Sequence, residues 1–191
     1  MASEGTVGGF GAVYPVLKAM EDAGRIRRGY FVAGLGATQF AQLGALDLLR
    51  SFRDSSPDED ADVVVLSATD PANPYGAAIR WPAVADATGR TPTRSVGATV
   101  ILVDGALAAY LARGDRQLLT YLPAAEPQRS KTARAIARAL RERSRAPVGD
   151  DRTPRGMLIE EIDGVPPSAH PIAPHLARAG FLTGAMGFQA H

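Results

Sequence analysis

Cysteine is absent from the 191 residues, so the chain has no disulfide framework, no thiolate metal site and no cysteine nucleophile. Histidine occurs only at His170, His175 and His191, too few for a His-rich metal centre, and no metal is expected. Lysine is almost missing too, at Lys18 and Lys131, so arginine supplies nearly all of the 21 basic residues. Neither sign of charge is in excess, with 20 acidic residues and a net charge of +1, and nothing global demands a polyanionic partner. Long apolar runs are also lacking. The longest uncharged stretch, Gly29 to Leu46, is interrupted by four glycines and by Thr38, Gln39 and Gln42, whereas a spanning helix needs ~20 mostly apolar residues. No signal peptide is legible, and a soluble, cytoplasmic protein with no membrane partner is expected.

Phosphate-binding loops are missing as well. There is no Gly-x-x-x-x-Gly-Lys-Ser/Thr, and neither lysine lies in a glycine-rich loop. Gly34-Leu35-Gly36-Ala37 lacks the third glycine and the βαβ setting of a dinucleotide fingerprint. No serine sits in a Gly-x-Ser-x-Gly elbow. No cofactor is expected, and the chain alone is expected neither to bind nor to hydrolyse ATP.

What is present, 46% apolar and 21% charged, is globular in composition. Val13, Val16, Leu17 and Met20 fall on one helical face, Pro15 stands near that helix's start, and Gly24 is placed to end it. Arg25 to Val32 then reads as two short β-prone runs pivoting near Gly29, a small basic hairpin. Helix followed by hairpin is the second half of a winged helix, so residues 1–53 are expected to be a partial winged-helix segment whose first helices are missing. A second helix is predicted over 42–52, with Leu43, Leu46 and Leu49 or Leu48 inward. Residues 54–62 are acidic, contain Pro57 and read as a linker.

From residue 63 the period changes to that of strands. Val63 to Leu66, Val96 to Val103, Leu107 to Leu111 and Gln117 to Tyr121 follow one another with turns at Asp104-Gly105 and Arg113-Gly114-Asp115. Ser130 to Arg145 is a helix with an apolar stripe of Ala133, Ile136, Ala137 and Leu140. A strand over 158–162, the Asp163-Gly164 turn, a helix near 172–179 and a strand over 181–188 complete the chain. The expected class is α+β: a partial winged helix, then a β-rich domain over 63–191 built as a small antiparallel barrel-like or open sheet with one or two covering helices.

Two basic features carry the candidate binding residues. Lys18, Arg25, Arg27 and Arg28 lie on the expected recognition helix and wing, where guanidinium groups meet phosphates. Arg129 to Arg145 holds seven cations against Glu142 alone, with Arg134, Arg138, Arg141 and Arg145 on a common face; plain solvation is the alternative there. Asp70, in the Asp-Pro-Ala-Asn-Pro turn with Asn73, is the one candidate catalytic carboxylate, against the alternative that an Asx side chain bonds its own backbone. Tyr75 and Trp81 can stack on bases or bury in the sheet. His170 and His175, flanked by prolines, read as surface loop residues.

Several segments resemble the large helicase-related proteins (the Lhr family): GGFGAVYPVLKAMEDAGRIRRGYFVAGLGATQFA from Gly8 to Ala41, ATDPANPYGA from Ala68, VILVDG from Val100, and Ala179-Gly180-Phe181 with the glycine-containing strand after it. The resemblance spans nearly the whole chain. It implies the C-terminal part of a superfamily 2, ATP-driven DNA helicase, whose two RecA-like motor domains lie near the N-terminus. The family's C-terminal extension combines winged helices with a β-barrel-like domain, in an arrangement similar to winged-helix DNA glycosylases acting on damaged DNA. Neither the motor motifs nor a Gln-x-Gln or Gln-x-Asp glycosylase signature is matched here. The expectation is a nucleic-acid-binding accessory module with DNA, single- or double-stranded, as its partner. A glycosylase-like repair domain and an assembly domain packing on other helicase modules are the alternatives.

Overall fold

The computed structural model describes residues 8–36, 38–52, 61–83, 91–148 and 153–190. They fall into two compact units, one within Met1–Glu59 and taking in Ala77–Ile79, the other Asp60–Gly76 with Arg80–His191. Most of the acidic stretch 54–62 lies outside the described residues.

The first unit contains α1 (Gly9–Asp22), β1 (Ile26–Gly29), β2 (Gln39–Gln42) and α2 (Ala45–Ser51). Helix α1 ends as the spacing predicts. Gly24 donates its backbone N–H to Glu21 at 2.9 Å and Arg25 donates to Met20 at 2.9 Å, the paired closure of a Schellman motif. The hairpin differs from expectation. Gly29 is not its pivot but the last residue of β1, opposite Gln39, and β1 pairs antiparallel with β2 instead of with Tyr30–Val32. The reason lies in the Gln39 side chain, which occupies the backbone of the intervening loop. Its Oε1 accepts from Phe31 and Val32 (2.9 and 2.8 Å), and its Nε2 donates to the carbonyls of Val32 and Gly36 (2.8 and 3.0 Å). Groups used in this way are withdrawn from a sheet ladder.

Helix α2 is shorter than its hydrophobic period suggests, because Gly44, at φ 88°, holds the left-handed conformation before it. Its leucines also break expectation: Leu43, Leu46, Leu48 and Leu49 are all exposed. Along α1, Val13, Leu17 and Met20 are half-buried and Val16 is 60% exposed. Among the described residues of 8–52, Ile26 alone is buried.

The second unit is an open sheet covered by a helix. Strands β3 (Val63–Ser67), β4 (Thr99–Val103), β5 (Ala106–Leu111) and β6 (Gln117–Thr120) form the expected antiparallel meander. Then come α3 (Gln128–Arg145), a hairpin of β7 (Pro147–Val148) and β8 (Thr153–Pro154), β9 (Met157–Ile159), β10 (Glu161–Ile162), a short 3-10 turn Pro167–Ala169, α4 (Ala173–Arg178), β11 (Leu182–Gly184) and β12 (Gly187–Ala190). Strand β10 joins parallel to β6, giving the order β10-β6-β5-β4-β3, and β11-β12-β9 form a separate sheet. The five-stranded sheet ends at β10 and β3, so of the two expected forms it is the open one; no closed barrel is present among the described residues. The last expected strand is in fact two, β11 and β12, and β12 runs so close to β9 that a Cβ on Gly187 would collide with the Ile159 carbonyl oxygen.

Alternation along the strands makes two apolar clusters. Ile101, Val103, Ala109, Leu111 and Leu118 face α3, where Ala133, Ile136, Ala137 and Leu140 are buried as predicted. Val100, Leu107, Tyr110 and Leu119 belong to the opposite cluster with Tyr75 and Trp81 packed on it. A buried carboxylate fastens β6 to the turn after β10. Asp163 accepts from the Thr120 backbone (2.7 Å) and hydroxyl (2.6 Å), and lies 2.9 Å from His170 Nε2. His170 is thus an anchored residue rather than a surface loop one. The neighbouring Tyr121 hydroxyl is buried without a partner among the described residues. Burial and, secondarily, the Asp163 charge push it up to about 12.

Two outcomes follow from this packing. Each fully buried aliphatic side chain is worth ~1.5–3 kcal/mol, so amides of residues 8–52 are expected to exchange with solvent faster than those of β4, β5 and α3. Hydrogen exchange read by mass spectrometry checks this, and equal protection contradicts it. Since the folded Tyr121 holds its proton above the ordinary tyrosine value near 10, stability is intact below pH 10 and declines from there to about pH 12. Chemical unfolding across that window should show the decline in the native chain and a smaller one in Tyr121→Phe.

Candidate nucleic-acid interface

The wing distributes its cations by strand alternation. Ile26 and Arg28 point to one face of β1 and Arg27 to the other. Arg28 therefore turns toward α1. Its guanidinium donates to Glu21 (3.1 and 2.5 Å) and lies 5.8 and 5.4 Å from the ring centroids of Tyr14 and Phe40. The hydrogen bond to Glu21 holds Arg28 above its ordinary range. Arg28 is thus occupied in holding the wing to the helix, a cation–π and carboxylate clamp. Lys18, Arg25 and Arg27 are exposed, and among the described residues none of the three is held by a carboxylate.

Beside the wing lies a groove of about 870 Å³. Leu43, Leu46 and Leu49 give it an apolar wall, with Tyr30, Arg27 and Arg50 also lining it. Tyr30 is 81% exposed. Sequence reasoning placed Tyr30 in a strand and passed over Arg50; the signal available was an aromatic residue after Arg27-Arg28-Gly29 beside a leucine-rich helix.

In the second unit, α3 separates its cations differently from the sequence expectation. Lys131 pairs with Asp104 at 3.5 Å, and Arg143 reaches Asp115 at 3.2 Å, which Arg155 also meets at 2.8 Å. Arg141 is half-buried and donates to Ser144 Oγ at 3.1 Å. Arg134 and Arg138 remain exposed. Helix α4 adds His175, whose pKa is lowered by burial, then by Arg178 and Arg134. The sequence reading missed that Arg178 joins this basic edge.

Asp70 sits in a turn that uses it structurally. Its Oδ1 accepts from the Ala72 backbone at 2.8 Å, and its own carbonyl accepts from Arg94 at 3.1 Å. Arg94 also donates to the carbonyls of Thr69, Asn73 and Tyr75. Buried Asn73 donates to the Ala68 carbonyl at 2.9 Å and accepts from the Tyr75 backbone at 3.1 Å. Trp81 stacks on Tyr75 with centroids 6.1 Å apart and meets Tyr110 edge-on at 5.6 Å, so both aromatics belong to the sheet's apolar cluster. No group of metal-ligating side chains occurs among the described residues, and no helix there is long and apolar enough to cross a membrane.

Comparison with known proteins agrees with the helix-and-wing geometry. Residues 1–61 match the family model of the winged-helix domain of large helicase-related protein. Over 167 residues, 86% of this chain, the sequence is 46% identical to a Mycolicibacterium smegmatis protein named "Lhr helicase/ probable uracil glycosylase", covering 10% of that relative. Over 187 residues, 97% of this chain, it is 34% identical to an Escherichia coli protein named "Lhr helicase/uracil glycosylase", covering 11% of it. The chain spans about a tenth of the length of these curated relatives. With a winged-helix match over residues 1–61 and this identity running over most of the chain, the sequence matches the large helicase-related (Lhr) family along nearly its whole length.

Proposed function

We propose that this chain is a nucleic-acid-binding accessory module from the C-terminal part of an Lhr-type DNA helicase, cytoplasmic, and serving beside other modules of the parent protein. Helicase activity is assigned to the parent protein and not to this module. The observation that carries the reading is the exposure of Lys18, Arg25 and Arg27 on the helix and wing of a winged-helix unit. Unpaired cations there meet backbone phosphates and release the counterions that phosphates hold. A second reading, a glycosylase-like repair domain, draws on the relatives' names. Asp70 serves it poorly, because one carboxylate oxygen is already spent on the turn. Release of free base from uracil-containing DNA by this chain is the result that would favour it.

Within the first reading, Arg25 and Arg27 outrank Arg28, which Glu21 already neutralises, and outrank Arg134 and Arg138 on the covering helix. The double variant Arg25→Ala/Arg27→Ala is expected to weaken DNA binding and to lower the magnitude of the salt slope by up to about two, near one unit for each phosphate no longer neutralised. Arg134→Ala/Arg138→Ala is expected to do less. Salt titrations of duplex and single-stranded DNA with both variants decide it. A larger loss in the second variant would move the interface to α3.

A further inference from the structure

We infer that the groove beside the wing takes single-stranded nucleic acid, with Tyr30 as the platform for an unpaired base and Arg27 and Arg50 as the contacts for the phosphates flanking it. This rests on the nucleic-acid reading above and adds to it the form of the ligand and the residue that selects it.

Three observations converge on that occupant. Tyr30 is 81% exposed although it is a large aromatic residue directly following a strand. Its backbone lies at the start of a loop tied by the four hydrogen bonds of the Gln39 side chain. A ring on a tied loop loses little freedom on stacking, which is the condition for a productive platform. Second, the wall shared with Tyr30 is apolar, formed by Leu43, Leu46 and Leu49, which suits the faces and edges of bases and offers nothing to a hydrated duplex backbone.

Third, the charge at the groove is of one sign in excess. Arg27 and Arg50 line it, and Asp47 is the one carboxylate lining residue. The Arg50–Asp47 contact, 3.3 Å between side chains that are 65% and 81% exposed, is a solvent-screened surface pair, so a phosphate displaces it readily. An alternation of apolar wall and guanidinium groups fits a chain that alternates planar bases with phosphates. An acidic amphipathic protein segment shares part of that chemistry but has no need of an exposed ring on a tied loop.

The experiment measures binding of the full chain to a short oligothymidylate and to a duplex, with native protein, Tyr30→Ala, Tyr30→Phe and Arg27→Ala/Arg50→Ala. Because Tyr30 is exposed, its variants should melt at the native temperature, which is checked first. Tyr30→Ala is expected to bind the single strand roughly 5- to 150-fold more weakly, the range for loss of one aromatic stacking partner, with its salt slope unchanged and duplex binding intact. Tyr30→Phe should retain native affinity. The double arginine variant should lower the salt slope. Native binding with no effect of Tyr30→Ala, or an equal loss on duplex, overturns the stacking assignment while leaving the phosphate contacts standing. Absence of single-strand and duplex binding by the native chain overturns both.

Discussion

The seam between α3 and the open sheet is the contact on which the second unit depends. Ile136 and Leu140 are fully buried there, with Ala133 and Ala137 letting the helix approach Ile101, Val103 and Leu111 closely. An open sheet has two faces to cover, and one helix covers one of them. The other face is closed by Tyr75, Trp81 and Tyr110, held in position by the turn that wraps its carbonyls around Arg94. Polar groups then fix what apolar packing leaves adjustable. Asp163 joins β6 to the turn after β10, and Asp115 gathers Arg143 and Arg155 from α3 and the segment after β8. A buried carboxylate with partners on separate segments specifies one arrangement among several that would satisfy the hydrophobic pattern.

The first unit is organised on the opposite principle. It buries one side chain among its described residues and takes its order from local polar geometry: the Schellman closure of α1, the Arg28 clamp onto Glu21, Tyr14 and Phe40, and the Gln39 tie of the wing loop. These interactions set the shape of a surface more than they stabilise a core. They leave Arg25, Arg27 and Tyr30 exposed on a defined backbone, the condition that phosphate and base contacts require.

Much of this architecture is legible in the sequence. The Val-rich runs and the Asp104-Gly105 and Arg113-Gly114-Asp115 turns mark the meander, and the apolar stripe of α3 reads residue for residue. The failures have identifiable causes. A side chain that bonds backbone at several points, as Gln39 does, has no period, so the wing reads too short. The leucines of α2 follow a core pattern yet face a groove, because hydrophobic spacing reports which face is apolar and not what covers it. Arg28 and Arg27 look alike in sequence, and only the alternation of β1 against α1 separates the arginine held by Glu21 from its neighbour. Lys131 and Arg143 likewise count toward a basic face until tertiary carboxylates, distant in sequence, withdraw them. Asp70 and His170 draw notice as chemical groups, and what ties them into the structure is the Ala72 backbone for Asp70 and the buried Asp163 carboxylate for His170.

In the function proposed above, nucleic acid meets the winged-helix unit and not the basic edge of α3 and α4. Mapping backbone amide shifts by NMR during titration with a short single strand tests this most directly. The perturbed amides are expected to cluster at residues 25–32 and 43–50, with those of α3 and α4 unmoved. Perturbations concentrated around Arg134, Arg138 and Arg178, with the wing silent, would contradict it.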